Sequence, residues 1–145
     1  SSTLLAYLGA TYAASGHDTE AAGAWQTAII DTQDMPDLYD WLIGALMRTH
    51  ELSLARTMLE EAAEKWPSDV RFMKPMALVY ATFGQGREAV RMLERHLTER
   101  PDDSESLLLG VEWIYQLRAA GAVVRIVVAR ARIARAAPSH RPACS

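Results

Sequence analysis

Cysteine is almost missing from this sequence. Its single instance, Cys144, has no second thiol to join, so no intramolecular disulfide holds the fold. No uninterrupted apolar run approaches the roughly 18 residues that a membrane-crossing helix needs, so no membrane span is expected. No charged segment followed by an apolar one opens the chain, which argues against a signal peptide and favours a cytoplasmic location. The chain begins Ser-Ser-Thr. It reads as a piece of a longer polypeptide or as a processed product, and its Ala/Arg-rich composition points to a bacterial-type parent.

Acidic residues are missing from residues 113–145. All 18 lie at or before Glu112, and residues 1–117 hold only nine Lys and Arg, a net of −9. From Arg118 onward there are six arginines and no acid. The body should repel phosphate backbones, and the tail should not.

Catalytic signatures are missing as well. There is no phosphate-cradling glycine loop, no nucleophile elbow and no His-Glu-x-x-His stretch. Of the four histidines, His17 and His50 fall in turns and His96 in a helix, none at ligand spacing from another. His140 and Cys144 are four apart, but in a segment with two prolines and no periodicity, which supports neither a metal site nor a Cys–His nucleophile. We therefore expect no enzyme, no cofactor and no metal.

What the sequence does hold is a helical-hairpin pattern with a 34-residue period, in a chain of one-domain length. Tyr39, Leu42, Ala55, Leu59, Ala62 and Pro67 recur as Met73, Met76, Ala89, Leu93, His96 and Pro101. The same offset backwards reaches Leu5, Leu8, Ala21, Trp25 and Ala28. Helical spacing predicts helices over 3–14, 20–32, 37–49, 53–66, 87–100 and 105–119. A further helix begins near Val70, with a late start or a kink because of Pro75. Gly121 is expected to end the last of these. The four tryptophans, Trp25, Trp41, Trp66 and Trp113, are in phase with the apolar faces and read as packing residues, with Trp113 the best exception beside Tyr115.

Residues 2–121 resemble the tetratricopeptide repeat family. That family has Leu-Gly then Tyr in its first helix, a small residue at the turn, two spaced Ala around an aromatic or Leu in its second, and a closing Pro. Leu8, Gly9, Tyr12, Gly16, Ala21, Trp25 and Ala28 match it in the first unit, and Ala77, Tyr80, Gly84, Ala89, Leu93 and Pro101 in the third. The second unit has Ile43 and Leu46 at the Gly and Tyr positions. The fourth reverses the order with Gly110 and Val111. The resemblance implies an all-α, right-handed α-solenoid of about three and a half hairpins. It spans 1–121, with units 2–35, 36–69, 70–103 and a partial one at 104–121. A capping helix over 122–137 and a disordered tail over 138–145 are expected to follow. Other readings of the arginine tail are an arm that contacts anionic lipid or nucleic acid, or a segment outside the domain.

The resemblance also implies a concave groove lined by the first helix of each unit, binding a peptide or a partner helix. Counting from the unit starts places Asp37, Asp40, Gly44, Met47 and Arg48 there, then Arg71, Lys74, Leu78, Ala81 and Thr82. The first unit offers Thr3, Ala6, Ala10, Ala13 and Ala14, and the fourth Glu105, Leu108, Glu112, Tyr115 and Gln116. This describes an apolar floor at the N-terminal end and a basic spot at Arg48, Arg71 and Lys74 that would hold a carboxylate. The competing reading is a solvated face in which these cations pair with Asp37 and Asp40. The expected partner is a protein or peptide, not nucleic acid. A helical-repeat RNA-binding module is the alternative, disfavoured by the acidic body.

Overall fold

The computed structural model describes residues 1–136. Among them are seven α-helices, one 3₁₀ turn and no strand. The helices are α1 (Ser2–Ala14), α2 (Asp18–Asp31), α3 (Pro36–Arg48), α4 (Leu52–Lys65), α5 (Met73–Thr82), α6 (Gly86–Glu99) and α7 (Ser104–Ala136). The 3₁₀ turn, Val70–Phe72, precedes α5 and leaves Pro75 in the first turn of that helix, where its missing N–H costs little. The His140–Cys144 pair and the tail from Pro138 lie outside the described residues.

Each helix packs on its neighbours in sequence, α1 on α2, α2 on α3, and so on to α7. The result is an α-solenoid of stacked hairpins. Two apolar clusters join the units. Ala21, Trp25 and Ala28 of the first hairpin pack with Leu38, Leu42, Ala45, Leu46 and Ala55 of the second. Tyr39, Ile43, Leu59 and Ala62 then pack with Phe72, Met76 and Val79 of the third. Small residues set how closely the helices approach: Ala28, Ala55, Ala62 and Ala89 are fully buried. Trp66 completes the second junction, edge-on to Tyr39 at 5.3 Å and stacked on Phe72 at 6.2 Å.

The three hairpin turns share one geometry at 34-residue spacing. Gly16, His50 and Gly84 hold positive φ. Their N–H groups donate to Ala13, Met47 and Ala81, and those of the next residues, His17, Glu51 and Gln85, donate to Tyr12, Leu46 and Tyr80. This double bond pattern satisfies the last carbonyls of each first helix.

The fourth turn does not form. Its position in the repeat is Arg118, which lacks glycine's tolerance of positive φ, and α7 runs straight through it and through Gly121. The expected helix end at Gly121 is therefore corrected to one 33-residue helix. A lone glycine costs a helix only about 1 kcal/mol, and the Ala- and Arg-rich stretch that follows favours helix. Residues 123–136 are exposed, so they project from the last hairpin rather than cover it. The expectation about membranes changes as well. By length and composition α7 is long and apolar enough to cross a membrane, because Glu112 and Arg118 interrupt its apolar runs without much lowering the average.

Candidate functional site

The first helices of the units carry a row of clefts that follow the repeat. The most apolar lies between α1 and α3, with a volume of about 260 Å³. Ser2, Thr3, Ala6, Tyr7 and Ala10 form one wall, and Thr32, Met35, Leu38 and Trp41 the other. Ala10 and Trp41 also line the adjoining cleft of about 420 Å³, with Ala13, Trp25, Asp40, Gly44 and Arg48. Small side chains on α1 open this space. Trp41 and Tyr7, 40% and 71% exposed, present aromatic surface beside it.

Two units further on, the equivalent notch is charged. Ser2, Thr3, Ala6, Tyr7, Thr32 and Met35 become Val70, Arg71, Lys74, Pro75, Arg100 and Asp103, which line a cleft of about 500 Å³ together with His96 and Asp102. The notch between these two is crossed by an ion cluster. Arg71 reaches back one repeat to Asp37, chelates Asp69 through Nε and Nη2, and approaches Asp40 at 4.0 Å. The hydrogen bonds from Arg71 hold the Asp69 carboxyl below the usual range. Burial pushes that of Asp40 upward.

The expected basic spot takes a different form. Arg48 does not join Arg71 and Lys74. It lines the Trp41 cleft and pairs with Asp18 at 3.0 Å, while the other two line the charged cleft. Lys74 sits 3.7 Å from Asp103 and 3.8 Å from Glu105. Each of the three cations thus faces carboxylates of its own chain. Asp37 is exposed and Asp40 half-buried, both turned to Arg71. Met47, read as groove-facing, is half-buried against both core clusters. Leu78 is half-buried. Glu112 and Tyr115 stand exposed on α7, with Glu112 accepting from Gln116.

Asp103 is the most connected group of the charged cleft. Its carboxylate accepts from Ser106 Oγ at 2.6 Å and from the Ser106 N–H at 3.1 Å, and lies 2.8 Å from His96 Nε2. These bonds, the Ser106 hydroxyl first, hold its carboxyl well below the usual range. His96, standing where the family has Ala, is 8% exposed. Its Nδ1 is buried without a hydrogen-bond partner among the described residues. Serine and histidine both point to the carboxylate and not to each other, so this is a cap and a brace, not a nucleophile pair.

Tyr7, Met35 and Trp41 are the residues that helical phase misplaced or passed over, since phase alone puts Trp41 in the core. Adding 34 to a position already read as groove-facing does not reach them. Comparing positions 7, 41 and 75 would have shown two aromatics and a proline in one slot beside the groove.

Solved structures of the same architecture share this arrangement of hairpins. The first TPR domain of Spaghetti (RPAP3) bound to an HSP90 peptide superimposes with a TM-score of 0.74 at 18% identity, covering 81% of this chain and 93% of that one. This chain has the tetratricopeptide-repeat fold. A structure of MamA matches the TPR array at a TM-score of 0.72 and 18% identity, covering 94% of this chain and 79% of its own. The Arabidopsis OM64 TPR domain matches at 0.71 and 12%, over 77% and 93%. No protein-family model and no curated protein matches the sequence.

Proposed function

We propose that this domain is a non-catalytic protein-interaction scaffold that seats a peptide segment or partner helix along α1, α3 and α5. The observation that carries the reading is the apolar cleft between α1 and α3, flanked by exposed Tyr7 and Trp41. A large apolar side chain of the ligand fills it, and aromatic surface of this kind is where binding energy concentrates. Asp37, Asp40, Arg48, Arg71, Lys74, Leu78, Glu112 and Tyr115 flank the path of the ligand and set its register. Met47 supports the wall from behind. Because the cations already face carboxylates, charge acts here on orientation and selectivity more than on affinity. The peptide-bound RPAP3 domain supports the mode of binding for this fold.

The test is selection of random displayed peptides of about 12 residues on the whole chain. Enriched sequences should share one bulky apolar residue, and Ala10→Trp, which fills the cleft from an exposed position, should abolish their binding while the helical circular dichroism is unchanged. No enrichment, or ligands indifferent to Ala10→Trp, would overturn the proposal.

A further inference from the structure

The groove uses one side of the solenoid. The half of α7 that projects offers another surface. The first half is held by Ser106, Gly110, Trp113 and Leu117, which lie on or toward α6. Ser106 is fully buried, Gly110 faces Leu93, Trp113 is half-buried, and Leu117 lies over Gly86, where an added Cβ would stand 2.9 Å from it. Gly86 is the first residue of α6, so the neighbouring helix ends there. Beyond that point Val123, Val124, Ile126, Val127 and Ile133 are between 54% and 70% exposed.

Successive residues of an α-helix are turned by about 100°. On that wheel Arg118, Arg125, Arg132 and Arg135 share an arc of about 100°. The five valines and isoleucines above, with the alanines between them, fill an arc of about 180° on the other side. Arg130 is the one arginine inside that arc, and Val128 is the one large apolar residue among the other arginines. The centre of the apolar arc lies about 100° round the helix from the side held on α6, so this face is turned aside from the solenoid. Residues 118–136 hold five arginines and no acid, whereas residues 1–117 hold nine Lys and Arg against 18 acids. A broad apolar face backed by arginines is the form of a helix that lies in the interface of a bilayer.

Other occupants answer only part of this pattern. A second copy packed arc to arc would bury Arg130 against a segment with no acid, and would leave the other four arginines unused. A nucleic acid would answer the arginines and leave the valines and isoleucines in water. A single partner helix covers a seam, which is narrower than this arc. A bilayer interface takes up half a helix and presents phosphates along the rim. We infer that the projecting half of α7 docks in the plane of an anionic lipid bilayer. Val123, Ile126, Val127 and Ile133 enter the acyl chains, and Arg118, Arg125, Arg132 and Arg135 are drawn to the lipid phosphates. Arg130 runs its methylene stem along the apolar face and carries its guanidinium up to the same layer. The acidic body is repelled by such a surface and stands off from it. α7 lies on the bilayer and does not cross it. Its membrane-length apolar stretch includes the half held on α6, and the projecting half alone would carry five arginines into hydrocarbon. The surface is separate from the groove and does not depend on it.

The probe is a vesicle of phosphatidylcholine with about 30% phosphatidylserine, beside one of phosphatidylcholine alone. Binding of the whole chain is read by flotation. The anionic vesicle should bind about tenfold or more tighter than the neutral one, and markedly more weakly in about 0.5 M than in about 0.05 M salt. Ile126→Asp with Ile133→Asp, at exposed positions, should abolish binding with no loss of melting temperature. Exchanging Arg118, Arg125, Arg132 and Arg135 together for Gln should erase the preference for the anionic vesicle. The added emission of Val127→Trp should be quenched by acyl chains that carry a spin label, and that of Val128→Trp should not. Equal binding to the two vesicles, binding to neither, or equal quenching at the two positions would overturn the inference. So would a dimer in sedimentation that the anionic vesicle fails to dissociate, which would make a second copy the occupant. Binding to a random oligonucleotide or to a Glu-rich amphipathic peptide, without binding to the anionic vesicle, would do the same in favour of a nucleic acid or a partner helix.

Discussion

Trp25 and Gly9 are matched across the first hairpin. The indole Nε1 donates to the Ala6 carbonyl at 3.1 Å, and a Cβ on Gly9 would fall 2.4 Å from that same nitrogen. The absence of a side chain at position 9 is what admits the ring. Gly9→Ala should therefore destabilise the domain by about 1–3 kcal/mol as an overpacking change, with a shift in tryptophan fluorescence. A melting temperature equal to that of the parent would contradict the packing described here.

The second hairpin turn carries a strained residue. His50 holds φ +59° where the other two turns have glycine. A side chain in this region costs about 1–2 kcal/mol, against about 0.5–1 kcal/mol for the extra chain entropy of glycine. His50→Gly should raise stability by roughly 0.5–1 kcal/mol, and Gly84→Ala should lower it by a similar amount. Denaturant titration of the two variants decides the sign.

Arg71 ties two units together through Asp37 and Asp69. Removing it with Arg71→Ala leaves three carboxylates without their shared cation, and partial exposure keeps the loss to roughly 1 kcal/mol. The difference from the parent should shrink in about 1 M salt, where the Debye length is short. Reversal to Glu should be worse than Ala, because it brings a fourth carboxylate into the cluster. Loss of binding in an Arg71→Glu variant therefore reports on stability as well as on the groove, and Lys74 is the cleaner probe of charge there.

Acid should loosen the solenoid at two caps. Asp69 and Asp103 have lowered carboxyl values in the folded chain. Their stabilisation is complete above the unfolded value of about 3.9 and is lost as pH falls through the folded values. Asp40 acts in the opposite sense, since its raised value makes protonation favour the fold. The expected profile is a melting temperature that falls below about pH 4, less steeply in Asp103→Asn, which should also melt lower at neutral pH. An identical slope in that variant would mean that Asp103 does not carry the effect.

Much of this was legible from particular residues. Ala21, Ala55 and Ala89 announce the close helix pairs, and Gly16 and Gly84 announce two of the three turns, because backbone sterics act locally. The pairing of Arg71 with Asp37 was one of two readings of the residues, and that ion pair is present in the structure. The role of Trp41 was not legible. Its apolar phase is that of a core residue, and only the small side chains of α1 opposite leave it uncovered. Gly121 looks like a stop but lies within α7, whereas the turn position of the fourth unit is 118, identifiable only by carrying the turn geometry of the earlier units forward.

α7 advances about 1.5 Å per residue, so its tip lies roughly 28 Å beyond the last side chain held by α6. A continuous helix bends little over that span. The tip of α7 is therefore kept at a set reach from the clefts between α1 and α3.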